Sequence, residues 1–97
     1  MKLTGTDILT TAGQVHADAQ SAIPSWTAIV RNADWSRPND LKLVFPHASI
    51  LSDHRVIFNI KGNSYRLVSR INYPARVVQV RWFGTHADYD KLKLYEK

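Results

Sequence analysis

Two residues near the end of the chain have side chains suited to moving protons. His86 and Tyr89 lie three residues apart in the string GTHADY. An imidazole takes or gives a proton near neutral pH, and a phenol does so when nearby cations lower its pKa. Upstream, the stretch FNIKGNSYRLVSRINY (residues 58–73) carries Lys61, Arg66 and Arg70 with no carboxylate to balance them. Arginine offers a planar fork for two phosphate oxygens and lysine a mobile point charge. Such a set could cleave RNA without a metal. A base removes the proton of a 2′-hydroxyl, the oxygen attacks the adjacent phosphorus in line, and an acid protonates the departing 5′-oxygen. Arginine holds the charge-rich phosphorane. The products would be a 2′,3′-cyclic phosphate and a 5′-hydroxyl. DNA lacks the 2′-hydroxyl and could bind but not react.

Each residue also has a plainer role open to it. His86 at a strand-to-helix junction can serve as a hydrogen-bonding group at a helix cap, and Tyr89 can pack its ring on a sheet with its hydroxyl at the surface. Arg70 and Arg76 suit phosphate steering better than chemistry. Lys61 beside a Gly-Asn turn can be an edge-strand lysine that discourages aggregation. Arg66 sits in mid-strand, where its side chain is held more firmly than a loop arginine, which favours a functional role. His16 falls on a helix flank, while His47 and His54 bracket a loop. Without cysteine or a HExxH pattern these histidines make no zinc site, so no metal is expected. Trp26 and Trp35 read as core or partner-facing aromatics.

The elements that must position these groups fall into two halves. Ile8, Ala12, Val15 and Ala19 form a stripe at helical spacing, with Thr4 or Thr6 as cap, over about four turns. Pro24 suits a helix start, and Trp26, Ile29, Val30 and Ala33 supply a second apolar face, so the two helices form a hairpin. A third helical turn is expected in SRPNDLKLVF, capped by Ser36 and stopped by Pro46. From Arg55 the period changes to two. Val56, Phe58 and Ile60 point one way, and Arg55, Ile57, Asn59 and Lys61 the other. Gly62-Asn63 marks a hairpin to a strand over Tyr65–Ile71, and the turn Tyr73-Pro74-Ala75-Arg76 leads to a third, which sets Val78, Val80 and Trp82 against Gln79 and Arg81. The fold class is therefore α+β: an N-terminal helical hairpin packed on a twisted antiparallel sheet of three to four strands. Thr85 then caps a short C-terminal helix with Tyr89, Leu92 and Lys93 or Tyr95 at helical spacing.

If the helices cover the face bearing Val56, Phe58, Ile60, Leu67 and Trp82, the opposite face is cationic. It collects Lys61 and Arg66 beside the RNA-contacting candidates Arg55, Asn59, Arg70 and Arg81.

The totals agree with this division. At 97 residues, 44% hydrophobic and 22% charged, the chain fits one globular domain over residues 1–97. It has no cysteine for a disulfide scaffold or thiolate site, and no long apolar run of the kind found in a signal peptide or membrane helix, so a cytoplasmic location is expected. Residues 1–53 carry four basic and five acidic groups, residues 54–87 carry six basic and none acidic, and residues 88–97 carry three of each. A basic field confined to the sheet favours nucleic acid over a membrane, since no amphipathic basic helix accompanies it. A non-catalytic RNA- or ribosome-binding module, and an inactive partner of an acidic repressor, would use the same charge.

The run RVIFNIKGNSYRLVSRINYPARVVQVRWFGTHADYDKL resembles the HigB-type toxins of bacterial type II toxin-antitoxin pairs, a branch of the RelE-like mRNA interferases. The likeness covers residues 38–93, including PNDLKLVFP, and is concentrated in FNIKGNSYRL and GTHADYDK. The N-terminal helices match only in length and kind. The resemblance implies helices on a twisted antiparallel sheet whose basic face cuts mRNA in the ribosomal A site. It places the strand lysine on Lys61, the transition-state arginine on Arg66 and the acid-base pair on His86 and Tyr89. RelE itself uses a more basic C-terminal group where this chain has His86. Asp88 is expected to cap the last helix rather than orient His86. The resemblance further implies a helix-turn-helix antitoxin of HigA type, with operator DNA reached only through the toxin-antitoxin complex.

Overall fold

The hydrophobic period changes at Arg55, and the backbone changes from helix to sheet close to the same point. A computed structural model describes the backbone of residues 1–95 and the side chains of residues 1–92. Its elements run β1 (Lys2–Thr4), α1 (Thr6–Val15), a 3-10 turn (Ala17–Ala19), α2 (Ala22–Asn32), α3 (Pro38–Val44), β2 (Ser49–Ile50), β3 (Arg55–Ile60), β4 (Tyr65–Asn72), β5 (Val77–Thr85) and α4 (His86–Tyr95). Lys93 and Tyr95, the alternatives for the last position at helical spacing in α4, lie outside the described side chains.

The sheet has five strands in the order β1-β5-β4-β3-β2. This corrects the expected antiparallel sheet of three to four strands. β1 pairs parallel to β5, with Lys2 opposite Val77 and Thr4 opposite Gln79. β2 adds an antiparallel edge to β3. Segments of three and two residues are too short to show a period of two, so alternation cannot reveal them.

The N-terminal half is not the expected two-helix hairpin: β1 comes first, and α1, the 3-10 turn, α2 and α3 follow one another, with boundaries that also differ from expectation. The first helix ends at Val15, and its continuation tightens into the 3-10 turn. Val15 is consequently 69% exposed, while Ala19 is fully buried. Gly5, rather than Thr4 or Thr6, occupies the N-cap at φ 72. A Cβ at Gly5 would lie 2.2 Å from the Val80 carbonyl oxygen, so the bare backbone lets the chain pass directly over β5. α2 begins at Ala22, two residues before Pro24, which sits in the first turn where its missing N–H costs nothing. Ser36 does not cap α3 with its oxygen; its N–H and hydroxyl both donate to Asp40, at 2.9 and 3.0 Å.

The helices cover one face of the sheet, where Val56, Phe58, Ile60, Tyr65, Leu67, Ile71, Val78 and Val80 are buried. Trp26 meets Phe58 edge-on at 5.3 Å, and Phe45 stands between Phe58 at 5.0 Å and Trp35 at 6.1 Å. Trp26 and Trp35 are thus core residues.

Candidate functional site

Cross-strand partners in an antiparallel sheet share a face, so the register defines the side turned away from α1–α3. This is the uncovered face, which α4 borders through Tyr89 and Leu92 and on which Ile57 is buried. Arg55 faces Arg70, Ile57 faces Val68 and Asn59 faces Arg66. Across β4, Arg70 faces Gln79, Val68 faces Trp82 and Arg66 faces Gly84. The uncovered face therefore carries three cross-strand rows: Arg55–Arg70–Gln79, Ile57–Val68–Trp82 and Asn59–Arg66–Gly84.

Trp82 is a correction. The register slips between Val68 and Ser69, so that Trp82 pairs with Val68 while Val80 pairs with Ser69, and Arg81 is the extra residue. A bulge of one residue inverts the alternation beyond it. Phe83 now faces the core and stacks at 5.4 Å on Tyr65, and Trp82 turns to the cationic side. Simple alternation along β5 assigns Trp82 the opposite face.

The middle of the uncovered face is a cleft of about 420 Å³ lined by Arg55, Ile57, Val68, Arg70, Arg81, Trp82 and Tyr89, together with Leu51, Asp53 and Leu92. Three of the four RNA-contacting candidates therefore meet in one hollow together with Tyr89. The fourth, Asn59, opposite Arg66, lines a separate hollow beside His47 and Asn63.

Arg66 is anchored by the β3–β4 hairpin. Its Nη1 donates to the Asn63 and Tyr65 carbonyl oxygens, each at 3.3 Å, and its Nη2 donates to Asn63 Oδ1 at 2.9 Å. These bonds leave the Nε–H and the second Nη2–H, which together form the side-on fork that fits two phosphate oxygens.

His86 is the first residue of α4 and lies two residues beyond Gly84, the partner of Arg66. Its backbone N–H donates to the Ser64 carbonyl at 3.1 Å, tying the helix start to the same hairpin. Thr85 Oγ1 accepts from the Asp88 N–H at 3.1 Å, so Thr85 is the cap as expected. The carboxylate that reaches His86 is Asp90, with Oδ2 3.0 Å from Nδ1, and not Asp88. Reading for the cap alone hid Asp90. The i, i+4 spacing from His86 to Asp90 on a helix was the available signal.

Lys61 is separated from this group. β3 ends at Ile60, and Lys61 enters the loop at φ 53, followed by Gly62 at φ 64. Alternation stops where the strand stops, so parity no longer directs its side chain. Lys61 Nζ instead contacts Asp18 Oδ2 at 3.0 Å, in the 3-10 turn on the helical side. The Tyr65 hydroxyl donates to the other Asp18 oxygen. This hydroxyl is the leading cause, with Lys61 second, that holds the Asp18 carboxyl below its ordinary value. The same hydrogen bond pushes the Tyr65 phenol up. The ring of His16, at the end of α1, rests 4.9 Å from Tyr65.

The acids of the N-terminal half account for part of the positive field. Besides Lys61, Arg76 pairs with Asp34 at 2.6 Å, and Arg70 lies 3.9 Å from Asp53. Arg66 and Arg81 have no carboxylate partner among the described residues. Nor do the described residues group three or more His, Cys, Asp or Glu side chains around a possible metal position. No described helix is long and apolar enough to cross a membrane.

Comparison with known proteins meets this geometry. The HigB toxin family, described as the RelE-like toxic component of a toxin-antitoxin system, matches residues 19–92. The chain is similar to a protein named mRNA interferase HigB from Escherichia coli O6:H1, 26% identical over 76 residues, a match that covers 76% of this chain and 74% of the relative. It is 31% identical over 58 residues to the mRNA interferase toxin HigB of Escherichia coli K12 and to an mRNA interferase HigB of Shigella flexneri, covering 58% of this chain and 56% of each relative. The family match spans α2 to α4, including β2–β5, and takes in the three rows, the cleft and the His86–Asp90 pair. On that match the chain belongs to the HigB toxin family, the RelE-like toxic component of a toxin-antitoxin system.

Proposed function

We propose that the chain is an mRNA interferase, a metal-independent endoribonuclease that cuts mRNA in the ribosomal A site. The observation that carries this reading is the arrangement at one end of the uncovered face. Arg66 presents an unused side-on fork there, and His86, joined to the same hairpin, carries a carboxylate on Nδ1. With Nδ1–H donated to Asp90, Nε2 is the nitrogen that exchanges a proton with substrate. Arg66 receives the two non-bridging phosphate oxygens, whose negative charge grows in the phosphorane. His86 and Tyr89 divide the work of accepting the 2′-hydroxyl proton and protonating the 5′-oxygen. Lys61, the strand lysine of the family likeness, must leave Asp18 to reach a phosphate, and we assign it to holding the β3–β4 hairpin on the 3-10 turn. Arg55, Arg70 and Arg81 hold the flanking backbone, and Asn59 borders Arg66.

Within the same reading, a helix-turn-helix antitoxin of HigA type neutralises the protein, operator DNA is contacted only through that complex, and the site of action is the cytoplasm. The names of the relatives support the activity, and the family description supports the antitoxin.

Mapping of RNA ends after expression tests the reading. New 5′-hydroxyl ends inside open reading frames are expected, lost in Arg66→Ala and His86→Ala. Growth arrest without new ends, retained by His86→Ala and steeply salt-dependent in binding, would establish the non-catalytic module instead.

A further inference from the structure

Trp82 stands where the sequence pattern does not call for an aromatic residue. The bulge turns it onto the uncovered face, in an apolar row flanked by the rows of Arg55–Arg70 and Arg66. Its ring leans over Gly84: a Cβ there would lie 2.5 Å from Cη2 and 2.6 Å from Cζ2. Gly84 thus provides the space in which the indole lies along the strand toward the Arg66 row. Trp26 and Trp35 are each 3% exposed, whereas Trp82 is only half-buried and lines the cleft. Tyr89 approaches with its ring centroid at 6.2 Å and a tilt of 49°, so the two rings are not stacked on one another.

An apolar ring beside several arginines matches the chemistry of an unpaired nucleotide, whose base has a π-face and whose backbone carries a charge on each side. A paired duplex would not expose a base to it.

We propose that Trp82 is a stacking platform for an unpaired nucleobase of single-stranded RNA, held in register by Arg55, Arg70 and Arg81, and that Gly84 maintains the platform. The proposal rests on the RNA-cleaving reading and adds a binding determinant to it. Stacking of this kind tolerates any base, so the cleft selects strandedness before sequence.

The test uses the full chain and a fluorescein-labelled hexamer of 2′-O-methyl uridine, which binds without being cut. Its binding is followed by anisotropy, and tryptophan quenching is read with an unlabelled hexamer. Wild type should bind, and its tryptophan fluorescence should fall. Trp82→Phe should bind with little loss but no longer show that quench, because the buried Trp26 and Trp35 report nothing. Trp82→Ala should lose about fivefold to a hundredfold in affinity. That loss should persist as salt is raised, whereas the loss in Arg81→Ala should shrink. Gly84→Ala, folded by circular dichroism, should behave like Trp82→Ala. Absence of binding by wild type at millimolar hexamer overturns the proposal. So does binding without a quench, or a folded Trp82→Ala with wild-type affinity; these outcomes would leave Trp82 as a seat for α4. Failure of the RNA-cleaving reading shows separately, as wild-type binding and quenching with no new 5′-hydroxyl ends from cleavable mRNA.

Discussion

Replacing Asn63 with alanine should slow cleavage although Asn63 touches no reacting atom in the proposed mechanism. Its carbonyl and side-chain oxygens accept from Nη1 and Nη2 of Arg66, and the Tyr65 carbonyl also accepts from Nη1, while Nε has no partner among the described residues. The guanidinium is thereby fixed with its Nε/Nη2 edge open. Losing that edge in Arg66→Ala removes two charge-assisted bonds to the phosphorane, about 3–4 kcal/mol of transition-state stabilisation, or about 10²–10³ in rate. Asn63→Ala removes one side-chain acceptor from a half-exposed arginine, about 1 kcal/mol, or about fivefold. Because Asn63 acts through Arg66, the double variant should be no slower than Arg66→Ala alone, and the coupling energy should equal the whole effect of Asn63→Ala. Single-turnover cleavage of mRNA on purified programmed ribosomes, read by primer extension, measures all four proteins. If Asn63→Ala slowed the Arg66→Ala protein by the same fivefold, the anchoring argument would be refuted.

Gly5→Ala forces a left-handed φ on alanine and a Cβ against a β5 carbonyl; we expect a loss of about 2 kcal/mol or more, a fall in Tm of about 10 °C, and an unchanged thermal scan would sink it. Asp90→Ala should lower kcat with KM nearly unchanged and move the neutral His86 tautomer away from Nδ1–H in ¹⁵N spectra; an unaltered tautomer would remove Asp90 from the site. The Asp18 cluster sets a pH window. The depressed carboxyl contributes stability that is present above its ordinary 3.8 and lost as pH falls through the lower folded value. The raised Tyr65 phenol contributes stability present below 10.0 and lost as pH rises through its higher folded value. The Tm gap between wild type and Asp18→Ala should therefore be level between these limits and close at both ends. Lys61→Ala should lower Tm modestly and leave kcat within about twofold; a large fall in kcat at constant Tm would show that Lys61 leaves Asp18 in the reacting complex.

Much of the face assignment was legible because β3 and β4 pair in unbroken register, so position parity gives each side chain's face even where Ile57 and Val68 interrupt the polar row. Helical spacing likewise located the core positions of Trp26 and Val30, and Thr85 was readable as a cap. Where the reading failed, a local event broke the period. The bulge at Arg81 reverses Trp82, and the left-handed Lys61 ends β3 one residue short of where the alternation in the sequence runs out. β1 and β2 gave too few residues to register. Pairings set by tertiary approach, such as Lys61 with Asp18 across 43 positions, have no signature along the chain. The His86–Asp90 pair does have one, its i, i+4 spacing on a helix.

The parallel seam between β1 and β5 joins Lys2–Thr4 to Val77–Gln79. During synthesis α1 and α2 emerge long before that seam has a second strand, so β1 waits with its edge unmatched while the intervening chain is made. Closure over such a sequence distance is slow relative to local helix formation. Translation must therefore have delivered β5 before the sheet can be completed, and His86 follows directly after it. A nascent fragment stopped short of that point lacks both the final strand and the imidazole, so the proposed damage to translation cannot begin on the ribosome still making the protein before β5 and His86 have been added.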